Sequence, residues 1–360
     1  MQGSAQASSR KNCFDLIRLI LTLGVIEQHL NLYGGYGVEW LIRSTKDHAS
    51  TGELAVLGFF GLSGYLISTS CAKLINEPGG WARFISRRFL RIMPGFWVCL
   101  ILTATVIAPL LVTLYHRSLQ SYDFFGARGG WDYIRNNWWL VIRQYDLGDV
   151  LRDAPYGAID GNLWSLLPEV VCYGATLGLA WLGLFRDNRW MAPAVLALLT
   201  ALNVIHLGNQ DILFGPTAIV LNSWYLYLGA YFTGMTLYCY KEEFPVRDWR
   251  KAVFAGFFML FMLKFGGTML GAPLLVPLLL LSVGELFVFP LRHDLSYGIY
   301  IYGSPALQIA AAIMVIRNHY ILYTLSSLAL AAGMAFLSWI LVERPCISFG
   351  HRKRPVNKMP

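Results

Sequence analysis

Arg18 and His29 stand eleven residues apart in one apolar stretch. On a helix that spacing is three turns plus about 20°, so both side chains leave the same face, about 16 Å apart along the axis. An ionisable group in a membrane helix costs at least about 2.5–3.5 kcal/mol near the bilayer centre, and those retained usually face a cavity or do chemistry. A histidine there suits general-base work, because an ordinary pKa of about 6.5 lets it take a proton from a hydroxyl near neutral pH. The plainer alternative is a histidine satisfied by a neighbouring helix. Asp15 lies one turn before Arg18 and can pair with it. Glu27 is about 200° around the helix from His29 and faces elsewhere.

Further residues have types that could complete such a site. Glu169 follows Asn162-Leu163-Trp164-Ser165-Leu166 at the start of another apolar stretch. A carboxylate there could orient the imidazole and stabilise its protonated form, as the acid of a Ser-His-Asp triad does, or pair with an arginine of the preceding loop. Arg87, Arg88 and Arg91 cluster within about one helical turn, and clustered guanidinium groups bind phosphates bidentately. Their other reading is a positive-inside anchor. In Phe59-Phe60-Gly61-Leu62-Ser63-Gly64-Tyr65 the small residues allow close helix approach. The same slimness would let a thin acyl chain pass, which makes Ser63 a candidate contact.

The elements that must position these groups are membrane helices. The chain is 56% hydrophobic and 14% charged with mean hydropathy +0.49, against roughly 45–50% and 25% for soluble domains. The pattern predicts an all-α integral membrane protein with about ten transmembrane helices. They are placed at 14–33, 53–75, 94–115, 163–184, 190–207, 217–240, 252–266, 268–289, 294–316 and 320–342. The seventh and eighth would form a helical hairpin. Most of the 29 Lys and Arg residues fall on the side that holds both termini, which predicts cytoplasmic N- and C-termini. The net charge of +8 follows from this topology and needs no nucleic-acid partner.

Residues 1–13 then form a cytoplasmic segment, 14–343 a single transmembrane domain, and 344–360 a basic cytoplasmic tail. The stretch from Arg83 to Pro94 is basic and amphipathic, as expected of a segment lying along the inner leaflet. The loop from His116 to Asn162 is long and rich in aromatics. Trp131, Trp138 and Trp139 there could stack on sugar rings or form an interfacial aromatic belt. Six scattered cysteines without C-x-x-C spacing argue against a disulfide framework and against a metal site.

Taken together, these motifs resemble the acyltransferase 3 family of membrane-bound acyltransferases, across about residues 12–345. In order they are Asp15-Leu-Ile-Arg18 with His29, Phe59-Phe60-Gly-Leu-Ser63-Gly64-Tyr-Leu-Ile, and Phe84-Ile-Ser-Arg87-Arg88-Phe-Leu-Arg91-Ile-Met-Pro94. Then come Leu163-Trp164-Ser165-Leu166-Leu-Pro-Glu169-Val-Val-Cys-Tyr173, Leu295-Ser296-Tyr297-Gly-Ile-Tyr300 and Val342-Glu343-Arg344-Pro345. The resemblance implies a stand-alone, multi-pass O-acyltransferase of the bacterial cytoplasmic (inner) membrane. It would use acetyl-CoA or another acyl-CoA as donor and a carbohydrate or lipid-linked glycan as acceptor.

It also implies catalytic roles for His29 and Arg18. Arg87, Arg88 and Arg91 map onto the family's cytoplasmic basic motif, so they become candidates for binding the coenzyme, with Ser63. Glu169 joins the pair as the orienting acid. No metal is expected. One departure is Gly303-Ser304-Pro305, where many members have a histidine just before the proline. The competing function is a multi-span transporter of a lipid-linked sugar or acyl compound, with Arg18 and His29 as a substrate or proton relay.

Overall fold

A computed structural model describes residues 12–46, 48–116, 118–208, 216–291 and 293–351. Side chains at 121, 206–208, 216–223 and 351 are outside this description. Most of the N-terminal segment and the end of the tail, 352–360, therefore lie outside the described residues.

Among the described residues every regular element is helical. In chain order they are α1 (Phe14–Gly34), α2 (Trp40–Thr45), α3 (Thr51–Leu74), α4 (Gly80–Leu102), α5 (Ala108–His116), α6 (Gly130–Asn137), α7 (Leu166–Trp181) and α8 (Met191–Gly208). They continue as α9 (Pro216–Cys239), α10 (Trp249–Phe265), α11 (Thr268–Leu286), α12 (Ser296–Ala312), α13 (Met314–Arg317), α14 (Tyr320–Ser338) and α15 (Arg344–His351). Among the described residues, five helical stretches are long and apolar enough to cross a membrane: Thr51–Leu74, Gly80–His116, Leu163–Trp181, Thr268–Leu286 and Tyr320–Gly350. Helices cover the other five expected spans, and α8 and α9 among them include side chains outside the description. In that group α1 carries Asp15, Arg18 and Glu27, and α10 and α12 have 17 residues each. The protein is thus a helical membrane protein.

Two expectations change. Arg83 to Pro94 is no separate in-plane helix. It forms the first turns of a 37-residue helix that runs through Pro94 and a π-helical turn at Thr103–Ile107 into α5. That length spans about 55 Å, well beyond the ~30 Å hydrocarbon core, so the arginine-bearing turns have room outside it. The chain after Val342 also stays helical, through a π-helical turn at Trp339–Glu343, and α15 packs on α4.

The helices divide into two compact units. One holds the chain up to Ala72 together with Trp164–Ser296. Here α10 and α11 form the expected hairpin, turned by Gly266 and Gly267 at φ 98° and 91°, values that glycine adopts without strain. α1 is tied to the end of α11 where the Cys13 amide donates to Gly284 O at 3.0 Å. α3 and α9 meet backbone to backbone. A Cβ on Gly64 would lie 1.9 Å from Tyr231 O, and one on Gly234 would lie 2.0 Å from Gly61 O.

The other unit holds Lys73–Leu163 and the chain from Tyr297 onward. The long loop after α5 is built rather than loose. Asn137 Oδ1 accepts from the Arg143 and Gln144 amides at 2.9 and 3.1 Å, and Gln144 Nε2 donates to Arg128 O and Asp146 O. Trp138 stacks on Trp97 of α4 at 4.9 Å and so serves packing, whereas Trp131 and Trp139 stay exposed.

Asp160 anchors this loop inside the unit. It is 1% exposed and accepts from the Tyr133 hydroxyl. Burial pushes its carboxyl up to about 7, against the Tyr133 hydrogen bond that lowers it. Unfolded, the group would titrate near 3.9. The folded state therefore holds the proton more tightly, and stability is greatest below about pH 4 and lost as pH rises to about 7. The loss is at most on the order of 4 kcal/mol. Thermal unfolding of Asp160→Asn in detergent should show a smaller fall in Tm between pH 5 and pH 8 than the unsubstituted protein.

Candidate active site

α1 carries the basic pair. Arg18 Nη1 lies 3.2 Å from Asp15 Oδ1, as the helical spacing predicts, and 3.7 Å from Asp294 Oδ2. Asp294 is fixed in turn. Its Oδ1 accepts from the hydroxyl of Ser296 at 2.5 Å and from the Ser296 amide at 3.3 Å, capping α12. Thr22 Oγ1 bridges Arg18 O and Ser296 O at 2.9 and 3.3 Å. Arg18 therefore binds α1 to the start of the Ser296-Tyr297 motif, and two carboxylates already counter its charge.

His29 is half-buried, with its ring 5.7 Å from that of Tyr33. Its Nδ1 lies 2.8 Å from Val25 O, one turn back. A carbonyl only accepts, so this bond places the ring proton on Nδ1 and leaves the lone pair on Nε2. A general base needs that tautomer.

The acid expected to orient this ring is engaged elsewhere. Glu169 Oε1 accepts from the Ser63 hydroxyl at 3.3 Å and from the hydroxyl of Tyr173, one turn on in α7. Val25 O occupies the Nδ1 position that a triad acid would take, because a helical histidine reaches its own preceding turn with no need of a second helix. Ser63 and Glu169 are thus brought together, α3 to α7. Gly61 and Gly64 beside Ser63 are filled by Pro277 and by the backbone of α9, so the small residues serve helix packing and leave no slot for a chain there.

Glu39 is a buried carboxylate held near α1 through Thr51. It is 2% exposed, in the loop between α1 and α3. Its Oε1 accepts from the Thr51 amide at 2.7 Å and its Oε2 from the Thr51 hydroxyl at 2.5 Å. Thr51 Oγ1 also meets Glu27 Oε2. Nothing in the sequence around Glu39 marks it out. Tyr173 was more accessible, since it follows Glu169 at i,i+4 on one helix face.

Arg87, Arg88 and Arg91 lie in the other unit, on α4. Arg88 sits over the Phe84 ring at 5.7 Å and Arg91 over that of Tyr297 at 5.8 Å. Arg87 Nε is buried and has no hydrogen-bond partner among the described residues. Such a donor suits an anionic ligand, because leaving it unmet costs free energy. The departure at Gly303-Ser304-Pro305 also belongs to this unit. Ser304, 2% exposed, donates to Asn162 Oδ1 at 3.0 Å, and the Tyr300 hydroxyl donates to Asn162 O at 2.8 Å. Next to Gly303, the chain thus has a buried structural hydrogen bond. Among the described residues no group of three or more His, Cys, Asp or Glu side chains is placed to hold a metal.

The O-acetyl transferase of Shigella phage Sf6 is 27% identical over 347 residues, covering 93% of this chain and 96% of that protein. Nodulation protein 10 of Rhizobium leguminosarum bv. viciae is 26% identical over 96% of this chain and 95% of its own length. A putative O-acetyltransferase of Staphylococcus aureus is 29% identical over 161 residues, 44% of this chain and 23% of that protein. No solved structure matches. The acyltransferase 3 family, described as an acyltransferase domain, matches residues 11–343. A helical membrane protein with this match over nearly its whole length belongs to the acyltransferase 3 family and is an enzyme, an O-acyltransferase.

Proposed function

We propose that this protein moves an acetyl group from cytoplasmic acetyl-coenzyme A to a hydroxyl of an extracytoplasmic carbohydrate, such as O-antigen or exopolysaccharide, at the bacterial inner membrane. The observation that carries the chemistry is the free Nε2 of His29, fixed by the Nδ1 bond to Val25 O. In the proposed step Nε2 takes the proton of the acceptor hydroxyl as its oxygen attacks the thioester carbonyl. The new C–O ester bond forms, the C–S bond breaks, and the coenzyme thiolate leaves with the proton that His29 releases. The acetyl group is supported by the name of the phage relative, an O-acetyl transferase, and the carbohydrate class by the motifs that resemble the acyltransferase 3 family.

Purified protein given labelled acetyl-coenzyme A and a candidate polysaccharide should place label on the glycan and release free thiol in equal amounts. Binding without label transfer or thiol release, across a panel of acceptors, would sink the proposal. Succinyl-coenzyme A run in parallel decides the acyl group.

The orphan Nε of Arg87 supports a coenzyme-binding role for Arg87, Arg88 and Arg91. A charge-assisted hydrogen bond contributes about 1.5–3 kcal/mol. Arg87→Ala should therefore raise the KM for acetyl-coenzyme A roughly 10- to 100-fold, with a smaller change in kcat. Steady-state kinetics at saturating acceptor measure it.

A further inference from the structure

The loop between α5 and α7 turns back along the helix it has just left. Gly130, the first residue of α6, packs directly against Tyr122, whose hydroxyl donates to Ala104 O. Past the other end of α6, Trp97 Nε1 donates to Trp138 O at 3.0 Å. α6 therefore lies beside residues 97–104 of the 37-residue helix. The arginines at 87, 88 and 91 place the hydrocarbon core on their far side, and a core of ~30 Å takes about 20 helical residues. Every such window between Arg91 and His116 contains about residues 97–111, so α6 lies at the depth of the core. Its inner face is buried through Gly130, Tyr133 and Asn137, whereas Trp131 and Arg135, one turn apart, are exposed. Arg135 Nη2 lies 3.6 Å from Asp132 Oδ1, and Asp132 Oδ2 accepts from the Arg128 amide at 3.1 Å. Arg128 Nε donates to Asp146 Oδ2 at 3.1 Å. The Arg135 and Arg128 side chains are 68% and 61% exposed. Arg128 also has φ 58°, a left-handed conformation that costs a non-glycine residue energy and persists where its surroundings fix it, here through Asp132 and Gln144.

We propose that the outer face of α6 lines a water-filled inlet and docks the carbohydrate acceptor, a sugar ring on Trp131 and its hydroxyls on Arg128, Asp132 and Arg135. Exposed charges at core depth are tolerated where they line water, not where they face lipid. The inlet opens at the His116 end of the long helix, opposite the end that bears Arg87, Arg88 and Arg91. With those arginines at the cytoplasmic face, the opening is extracytoplasmic. Both arginines of the α6 face are paired with aspartates, so the face is neutral overall yet rich in donors and acceptors. That balance suits an uncharged polyol rather than a phosphate. A sugar ring also has a face of C–H groups that an exposed indole can cover, and ligand sites commonly combine aromatic faces with a few fixed polar groups. The inlet would bring an acceptor hydroxyl into the membrane without exposing it to lipid. The proposal rests on the carbohydrate reading given above.

Two measurements on the full chain test it. In spheroplasts, Arg135→Cys should react with a membrane-impermeant maleimide added from outside, above the background of the unsubstituted chain. Purified O-antigen or exopolysaccharide should slow that labelling. A cysteine that reacts only after detergent is added would overturn the inlet. In the transfer assay, Trp131→Ala should raise the KM for the same glycan roughly 10-fold, with the KM for acetyl-coenzyme A unchanged. Trp131→Phe, which restores an aromatic face, should recover most of the loss. An unchanged glycan KM in Trp131→Ala, as for a tryptophan that faces lipid, would overturn the docking role. The unsubstituted protein separates this proposal from the reading beneath it. If it acetylates the glycan and Trp131→Ala does so with the same KM, only the docking surface fails. If it acetylates no glycan, the carbohydrate reading fails and this proposal with it.

Discussion

Replacing His29 by alanine should lower acetyl transfer by about 10²–10⁴-fold, the range that a positioned general base contributes. The expectation has a specific structural basis. The Val25 carbonyl selects the Nδ1–H tautomer, so Nε2 is basic without rearrangement. Deleting the ring removes the base and leaves the Arg18 contacts to Asp15 and Asp294 in place, because they lie about three turns away on α1. The KM for acetyl-coenzyme A should therefore change little while kcat collapses, the signature of a group that acts in the transition state. Label transfer to glycan, normalised to folded protein recovered from the membrane, measures it. An active variant at normal abundance would remove His29 from the chemistry.

Gly64→Ala should be the most damaging single methyl in the first unit. Its Cβ would lie 1.9 Å from Tyr231 O, 2.8 Å from the Tyr231 carbonyl carbon and 3.1 Å from the Met235 nitrogen, all backbone atoms. A side chain can swing away from a clash, but a helix backbone moves only as a unit. Overpacking typically costs 1–3 kcal/mol, and a backbone clash belongs at or above the top of that range. In a membrane this close approach is itself the attraction between helices, since burial from water contributes nothing there. Separating α3 from α9 would also carry Ser63 away from Glu169, so activity should fall along with stability. Gly178→Ala is the control. Nothing lies within 4 Å of its Cβ position, and alanine has the better helix propensity by about 1 kcal/mol. Thermal unfolding in detergent should show a lower Tm for Gly64→Ala and an equal or higher Tm for Gly178→Ala.

The arginine cluster shows how far the sequence reached. Its residue types and spacing announced an anion site, and the buried, unpartnered Nε of Arg87 fits that reading. The segment that bears it was expected to lie along the membrane surface, yet it is the leading part of one long helix. Proline removes one helical hydrogen bond and often ends a helix. Packing of α15 and α6 on α4 holds this one together across Pro94. Such support comes from residues distant in sequence, so periodicity along the segment could not supply it.

By itself the sequence determined the helical membrane character, the hairpin of α10 and α11, the single-face placement of Arg18 and His29, and the Asp15–Arg18 pair. All of these are properties of one segment or of two in immediate succession, set by hydropathy and by the 100° step of a helix. The motifs in order also pointed to the family. The tertiary structure alone decided which groups the carboxylates meet. Glu169 was the natural choice by its position at a helix start, but it bonds to Ser63, 106 residues away, and to Tyr173. Glu39 has no pattern around it and gains its place only because α3 begins with Thr51 beside α1. Ser304 likewise gains its partner from the fold, a bond to Asn162, 142 residues distant. A carboxylate or hydroxyl is defined chemically by its own residue. Its partner is defined by how helices pack, and that is a property of the whole chain.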